Sequence, residues 1–409
     1  MHMNILVLTK TYPNPEDHEL DGTTPVVKDF AVAWAAAGHR VFVYHNYTKK
    51  PGAMNLLPAK AIEALNDRFG YSLTPSKVNS SKNGRSIRIE DGVRVARFPL
   101  LKLVPGRGLA NIQIKRQFRR IKKDLENEQF LPDVIIAHWE DPQLQLLSML
   151  KSVFHVPCAF TCHKIAYLKR PRYLRKARGW LRDVNALFAR SESIGTQLQG
   201  FLGLDEPVPV CRSGIAPEFF ERPLPEGVSR RGVLYVGRLL PYKNIDVLIE
   251  ACQDPRLDTL GNLRIVGNGP EEESLRAIGT DNVEFLGKRD HSFIIEELDK
   301  ASVLSMVSTN ETFGLSYLEA MARGCIVIAG DDGGMKGIIR HGENGFLCPP
   351  GNSDALAGLL GEIESIDDSE MAKIRRRAME TASEFSIQNQ SKKYLENILS
   401  HISRKDRAE

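Results

Sequence analysis

The sequence lacks any apolar run of about 18 residues, the length that a membrane-crossing helix needs. It also lacks the basic-then-apolar leader of an exported protein, because a strand-like run begins at Asn4. We therefore expect a cytoplasmic protein. Cysteine is scarce: there are six in 409 residues, scattered through apolar runs. This usage excludes a small disulfide-stapled fold and predicts reduced core thiols. At 42% hydrophobic and 26% charged residues, the chain is ordinary globular material rather than a disordered polymer.

Charge is divided unevenly along the chain, although the net charge is only +4. Residues 1–200 carry 31 Lys and Arg against 17 Asp and Glu, a net charge of +14. Residues 201–409 carry 24 against 34, a net charge of −10. Such a split is typical of two domains with different partners. The basic half could face anionic lipid, nucleic acid or a phosphorylated substrate.

Short apolar runs alternate with helical patterns along the whole chain, and the series restarts after Pro207–Pro209. Two successive series of β–α units predict an α/β protein with two Rossmann-like domains, each a doubly wound parallel sheet. We place the domains at residues 1–206 and 207–384. Ligands of such sheets bind outside the carboxyl ends of the strands, so we expect the site in a central cleft that the two domains face.

The stretch from Val303 to Cys325 contains a strand, a polar loop and a helix that opens at Gly314. Free N–H groups and the positive end of the helix dipole suit a phosphate. Glu311 and Glu319 would lie roughly 10–12 Å apart, because a helix rises 1.5 Å per residue. They could therefore hold two ends of an extended ligand. The alternative is a surface glutamate followed by an ordinary helical one.

Two cations follow a predicted strand in the segment Gly232–Asn244. Arg238 and Lys243 could neutralise a diphosphate with charge-assisted hydrogen bonds, each contributing roughly 1.5–3 kcal/mol. The alternative is a pair of solvated loop cations. A second turn, within Leu263–Pro270, contains two glycines, but Glu272 occupies the third glycine position of the dinucleotide fingerprint. We therefore predict a tight turn there and no NAD.

Together these segments resemble the retaining glycosyltransferases of family 4, which have the GT-B fold. Glu311 and Glu319 match the E-x7-E pattern of that family, and Gly237–Asn244 matches its G-R-x-x-x-x-K-N turn. The blocks VGNGPEEESL and FLGKRDHSFI resemble the next two family blocks. The resemblance covers nearly all of the C-terminal half, whereas the N-terminal half matches loosely. One departure is at Met335-Lys336, where the family has a glutamate after Gly-Gly.

The resemblance assigns donor contacts to the C-terminal half. Arg238 and Lys243, in the turn that begins at Gly237, would bind the pyrophosphate of the donor. Glu319 would hold the ribose hydroxyls, and Glu311 would contact the transferred sugar.

Further contacts are implied for loop backbone and for one histidine. The N–H groups of Phe313, Gly314, Leu315 and Ser316 would contact sugar and phosphate. Gly22 would pack against the diphosphate. His163 would contact the sugar near the acceptor. The resemblance thus names Glu311, His163, Arg238 and Lys243 as the catalytic set.

The implied reaction moves a hexose-type sugar from a nucleotide diphosphate donor, with UDP favoured, to a glycan or lipid-linked acceptor. The implied setting is the synthesis of cell-envelope polysaccharide or glycolipid, with retention of anomeric configuration. The N-terminal domain would bind the acceptor, residues 207–384 the donor, and the tail 385–409 would pack back on the first domain. We expect no cofactor and no metal, since the chain has no Asp-x-Asp motif. Cys158 and Cys162 would lie about 13 Å apart on a strand, too far to share an ion.

Two helical patterns are strongly basic on one side. They lie in Ile112–Leu125 and Lys169–Arg182. Either they are interfacial membrane helices, or they are core helices with a solvated basic face. The first interpretation predicts a protein bound peripherally to the inner face of the cell membrane. The side chains predicted for a membrane or acceptor face are Lys115, Arg119, Arg172, Arg175, Lys176 and Trp180.

Two rival functions remain at this point. A nucleic-acid-binding protein would explain the basic half, but no recognised binding module is present, so we expect no nucleic-acid partner. Another nucleotide-sugar enzyme of the same fold, such as an epimerase, would share the donor site. The E-x7-E pattern and the Arg/Lys turn favour a transferase.

Overall fold

The computed structural model describes residues 2–13, 25–49, 85–101, 108–224, 230–257, 260–309, 311 and 314–405. The chain divides into two units. Unit 1 is Met1–Arg212 with Ser391–Glu409, and unit 2 is Ser213–Gln390. Each unit contains its own sheet with helices packed against it, which confirms the predicted α/β class.

The sheet of unit 1 is parallel except at one edge. In the part of the unit that the structure describes, its seven strands are β1 Asn4–Thr9, β2 Arg40–Lys49, β3 Ser86–Glu90, β4 Val93–Leu101, β5 Val134–His138, β6 Cys158–Cys162 and β7 Ala186–Ala189. They lie in the order β3-β4-β2-β1-β5-β6-β7, and among these described strands β3 alone runs antiparallel to its neighbour. Leu6 of β1 pairs with Phe42 of β2 and with Ile135 of β5. The strand order therefore reverses at β1, which places the loops after β1, β5 and β6 at one edge.

The helices of unit 1 bury apolar stripes against this sheet. The helices in the described part of the unit are α1 Val26–Ala36, α2 Asn111–Asn127, α3 Gln143–Phe154, α4 Pro171–Arg182 and α5 Glu192–Leu202. The last helix of the chain, Ile387–Lys405, contributes its residues from Ser391 onward. The Trp34 indole N–H donates to the Ser391 carbonyl at 3.0 Å, and Tyr394 packs on Phe30 with ring centroids 5.3 Å apart. Aromatic packing thus attaches this helix to α1.

Unit 2 has a sheet in which every strand that the structure describes runs parallel to its neighbours. These six described strands are β8 Val233–Val236, β9 Leu263–Val266, β10 Val283–Gly287, β11 Val303–Met306, β12 Ile326–Gly330 and β13 Phe346–Cys348. They lie in the order β10-β9-β8-β11-β12-β13. The order reverses between β8 and β11, so this is where ligands of such sheets bind. The α-helices among the described residues of unit 2 are α6 Glu218–Glu221, α7 Ile245–Cys252, α8 Glu272–Ile278, α9 His291–Lys300, α10 Leu315–Ala322, α11 Ser353–Ser365 and α12 Asp368–Glu384. We label the last helix of the chain, Ile387–Lys405, α13.

Each unit encloses a hydrophobic core of its own. All six cysteines are buried and unbridged, as expected of core thiols. Among the described residues, we find no helix with the length and apolar character needed to cross a membrane.

Candidate functional site

In unit 2 the loops after β8 and β11 are bound together at the point where the strand order reverses. The Asn244 amide donates to the Val307 carbonyl at 2.8 Å and to the Thr309 hydroxyl at 3.0 Å. The Thr309 N–H donates to the Tyr242 carbonyl at 2.9 Å. Asn244 has a left-handed backbone, with φ of 50°, which asparagine tolerates better than most residues. These bonds fix the position of Lys243, the residue before it.

Two of the predicted catalytic side chains touch each other in these joined loops. The Lys243 ammonium donates to a Glu311 carboxylate oxygen. The side chains of Lys243 and Glu311 are only 12% and 15% exposed, so water screens the pair weakly. Arg238 lies on the loop after β8 and is exposed. The structure therefore places a fixed cation, its carboxylate partner and an accessible second cation at this edge of the sheet.

The amino end of α10 adjoins Glu311. Gly314 caps this helix with φ of 66°. A Cβ on Gly314 would lie 2.4 Å from the Tyr317 ring and 3.3 Å from Glu311 Cγ, so only glycine fits. Leu315 and Ser316 begin the helix and are half-buried. Phe313 and Gly22, which the sequence also assigned to the site, lie outside the described residues.

Sequence reasoning missed the support that the loop after β12 gives to Glu311. The Gly334 N–H donates to the Glu311 carbonyl at 2.7 Å. A Cβ on Gly333 would lie 3.3 Å from Glu311 Cβ. The following Met335 is buried and Lys336 is exposed. A Gly-Gly pair three residues after the end of a strand was the available signal for this close approach.

Glu319 has different charged neighbours from Glu311. It is 9% exposed on α10, and burial raises its pKa to about 7. His291 opposes this rise in the pKa of Glu319, and Glu218 adds to it. Glu218 and His291 themselves lie within hydrogen-bond distance, 3.1 Å. The two glutamates of the E-x7-E pattern thus belong to two different polar groups of unit 2.

The glycine turn after β9 packs against the loop that contains Gly237. A Cβ on Gly267 would lie 1.8 Å from the Gly237 carbonyl oxygen, and one on Gly269 would lie 2.1 Å from the Leu239 carbonyl oxygen. The Leu239 N–H donates to the Asn268 carbonyl at 3.1 Å. Close backbone packing therefore accounts for these glycines.

In unit 1 the predicted His163 forms a pair with a second histidine. His163 Nε2 and His138 Nδ1 are 3.0 Å apart, and His163 is 7% exposed. The Trp139 ring stacks on the His163 ring with centroids 4.2 Å apart and planes 20° apart. Burial lowers the pKa of His163 well below its ordinary value and lowers that of His138 to about 3. Sequence reasoning missed His138 and Trp139, although polar residues directly after a buried strand indicated a site.

The loop after β5 also contains two buried carboxylates that the sequence did not predict. Glu140 accepts hydrogen bonds from the N–H groups of Tyr167 and Leu168 at 3.3 and 3.5 Å, just before α4. Asp141 accepts one from the Leu109 N–H at 3.2 Å, just before α2. Burial raises the pKa of Glu140 to about 7. These carboxylates anchor the segments that lead into α2 and α4.

Both basic helices pack their apolar sides on the core of unit 1. Ile114 and Ile121 of α2 are buried, as is Ala177 of α4. Trp180, predicted for the membrane or acceptor face, packs with the core residues and is half-buried. The exposed predicted cations are Lys115, Arg119, Arg172, Arg175 and Lys176. We call the exposed basic sides of α2 and α4 the basic faces. Their packing corresponds to core helices with solvated cations.

Among the side chains that the structure describes, no group of three or more His, Cys, Asp or Glu is arranged to hold a metal ion. Cys158 and Cys162 occupy the two ends of β6, and Cys162 donates its thiol hydrogen to the Lys164 carbonyl at 3.0 Å.

Comparisons with known proteins cover both halves of the chain. Residues 218–383 match the family described as Glycosyl transferases group 1, and residues 20–219 match Glycosyltransferase Family 4. The chain is 27% identical to a glycogen synthase of Mycobacterium tuberculosis over 92% of its length and 89% of that protein. It is 32% identical to an exopolysaccharide phosphotransferase of Streptomyces coelicolor over 54% of its length, but that match covers only 24% of the other protein.

Among solved structures, HepE of Anabaena in complex with UDP has a similar fold. The TM-score is 0.66 at 20% identity, and the match covers 97% of this chain and 100% of HepE. HepE was also determined in complex with UDP-glucose. At this level of identity the similarity concerns the fold.

Proposed function

Because this chain belongs to the family 4 glycosyltransferases of the GT-B fold, we propose that it transfers a hexose-type sugar from a UDP-sugar to a glycan or lipid-linked acceptor, with retention of anomeric configuration. One observation carries the proposal. Lys243, Glu311 and the amino end of α10 meet where the strand order of unit 2 reverses.

The proposed chemistry depends on stabilising a departing nucleoside diphosphate. Negative charge grows on its phosphates as the bond to the sugar breaks. Fixed cations and helix N–H groups stabilise such charge without reorganising, which makes them effective catalysts. In our proposal Lys243 and Arg238 supply the cations, α10 supplies the N–H groups, and no metal ion takes part. Glu311 orients Lys243 and contacts the sugar.

We assign the ribose of the donor to Glu319. Its burial on α10 and its separation from the Lys243–Glu311 pair support contacts to another part of an extended ligand. The UDP and UDP-glucose complexes of HepE support UDP as the nucleotide. His163 in unit 1 takes part near the acceptor.

For the acceptor and its setting we propose cell-envelope polysaccharide or glycolipid synthesis, with a peripheral association at the inner face of the membrane. The support is the net charge of +14 on residues 1–200 and the exposure of the cations on the basic faces. Cations arranged in this way attract anionic lipid headgroups electrostatically.

A donor screen tests the function. Purified protein is incubated with a panel of UDP-sugars and GDP-sugars, with and without EDTA, and released nucleotide is measured. We expect release from a UDP-sugar, unchanged by EDTA, and no interconversion of sugar epimers. We expect Lys243→Ala to abolish release while the protein still unfolds cooperatively, at a lower melting temperature because Glu311 loses its partner. Failure of every donor, together with no thermal stabilisation by UDP or GDP, would refute the proposal.

Lys373→Ala is the matched control. Lys373 also pairs with a glutamate, Glu370, at 2.9 Å, but on the exposed surface of α12. Its removal should leave release unchanged. Turnover by Lys243→Ala at the wild-type rate would overturn the assignment of the leaving-group site, and loss of activity in EDTA would overturn metal independence.

A further inference from the structure

We propose that His138 is a positioning residue that holds His163 in the neutral tautomer with its proton on Nδ1, so that His163 presents a hydrogen-bond donor to the substrate. The role of His163 in transfer rests on the proposed function. The tautomer rests on unit 1 alone and can be measured without a substrate.

The strand register brings the two imidazoles together. His138 is the last residue of β5 and pairs with Thr161 of β6, two residues before His163. The two ring nitrogens that face each other are 3.0 Å apart. At that distance one nitrogen must carry a proton and the other a lone pair.

Both rings are neutral. His138 is fully buried and His163 is 7% exposed, and an imidazolium in such surroundings loses its hydration. The charged groups that act on the pair are cations: Arg190 lowers the pKa of both rings, and Lys164 lowers that of His163. The shared hydrogen bond therefore joins two neutral imidazoles, and its direction fixes both tautomers.

The surroundings of the other ring nitrogen of His138, Nε2, determine the direction of the shared hydrogen bond. His138 Nε2 is buried, and no side chain or backbone group in the described part of the chain hydrogen-bonds to it. A buried N–H without an acceptor is rarer and costlier than an under-used lone pair. Nε2 of His138 is thus unprotonated, Nδ1–H donates to His163 Nε2, and the proton of His163 resides on Nδ1.

Trp139 fixes the plane of the His163 ring. Its backbone is left-handed, with φ of 73°, a conformation that a bulky residue adopts only when its surroundings impose it. After this turn the indole stacks on the imidazole, with ring centroids 4.2 Å apart and planes 20° apart. His163 is therefore held in both orientation and tautomer, as expected of a preorganised donor.

The test compares two substitutions of similar shape. His138→Asn keeps an N–H near the position of Nδ1, whereas His138→Leu does not. The readout is the ring-nitrogen chemical shifts of His163 in protein labelled with ¹⁵N-histidine, with His163→Gln used to assign the signals. We expect protonated Nδ1 and unprotonated Nε2 in wild type and in His138→Asn. We expect a shift toward protonated Nε2 in His138→Leu.

Protonated Nε2 in the wild type, or an unchanged tautomer in His138→Leu, would overturn the proposal. His138→Asn and His138→Leu must both give a cooperative melting curve. If His138→Leu does not fold, the wild-type tautomer alone decides.

Activity gives a second readout. With the donor found in the screen, kcat should fall about tenfold in His138→Leu and far less in His138→Asn, which is the loss expected for one hydrogen bond. The Kd for UDP should be the same in both variants. If no donor turns over, the transferase assignment fails while the tautomer result stands. If Lys243→Ala abolishes transfer but His138→Leu does not lower kcat, the role of His138 is refuted and the transferase assignment is retained.

Discussion

At the scale of single residues, the candidate site of unit 2 depends on an ion pair between two positions that lie 68 residues apart in the sequence, Lys243 and Glu311. Their motifs singled out both residues but did not indicate that the two side chains touch. Only the parallel pairing of β8 with β11 brings these residues together. Asn244, whose side chain joins the two loops by hydrogen bonds, was noticed in the sequence only as the last residue of the G-R-x-x-x-x-K-N motif. The two buried carboxylates of unit 1, Glu140 and Asp141, were indicated in the sequence only by their position just after a strand.

The buried Glu140 predicts a pH dependence of stability. Its pKa is about 7 in the folded chain and about 4.5 when exposed, because burial disfavours the carboxylate. The folded state thus binds the proton more tightly, so the Glu140 contribution to stability is lost as pH rises from about 4.5 through 7. In Glu140→Gln the amide oxygen still accepts from Tyr167 and Leu168. We expect this variant to lose less stability than wild type between pH 5 and pH 8, measured by urea unfolding.

The size of the difference should reflect about 1.4 kcal/mol for each unit by which the pKa is raised. The matched control is Glu396→Gln, since the Glu396 side chain is 60% exposed on α13 of the same unit. Its pH profile should follow that of wild type. A Glu140→Gln profile parallel to wild type would show that Glu140 does not titrate in this range.

At the scale of elements, hydrophobic periodicity predicted the positions of the helices well but missed a hairpin whose formation depends on its turn residues. The patterns at Ile112–Leu125 and Lys169–Arg182 correspond to α2 and α4 within two residues at each end. The hairpin of β3 and β4 was not predicted. Its turn is Asp91-Gly92, with φ of 48° and 78°, and Asp-Gly is a strong signal for a two-residue hairpin. The parallel strands could be predicted from their apolar runs alone. Predicting the antiparallel edge required recognising the turn residues Asp91 and Gly92.

The glycine turn after β9 should be essential to the loop that contains Arg238. A Cβ on Gly269 would lie 2.1 Å from the Leu239 carbonyl oxygen, so the loops must separate to admit it. We expect Gly269→Ala to lower the melting temperature of unit 2 by several degrees, at roughly 2–4 °C per kcal/mol for a domain of this size. UDP binding should weaken as well. Calorimetry and a UDP titration measure both effects.

Gly279→Ala is the control for this substitution. The nearest atoms to a Cβ at Gly279 are 3.5 Å away, an ordinary contact. Its melting temperature and UDP affinity should stay close to wild type. Equal behaviour of the two variants would mean that the close approach after β9 does not constrain the loop after β8.

At the scale of the whole molecule, the composition shows that charge is distributed unevenly along the chain. The packing of the basic helices shows which of their sides is buried and which is exposed. The basic half coincides largely with unit 1, and the acidic half with unit 2. Sequence patterns could not decide between a membrane helix and a core helix, because both have an apolar side opposite a charged one. Burial of Ile114, Ile121 and Ala177 decides which side meets the core. The cations remain exposed, so an electrostatic contact needs no rearrangement of these helices.

We therefore expect the basic face of α4 to bind anionic vesicles by charge alone. Wild-type protein should co-sediment with phosphatidylglycerol vesicles at low salt and dissociate from them as the salt concentration rises. It should not co-sediment with neutral vesicles. Reversing Arg172, Arg175 and Lys176 to Glu should abolish binding. The same three-charge reversal at Lys373, Arg376 and Arg377 of α12 changes the net charge equally and should bind nearly as well as wild type. Equal losses in both variants would show that net charge alone governs binding, and no binding by wild type would refute the membrane contact.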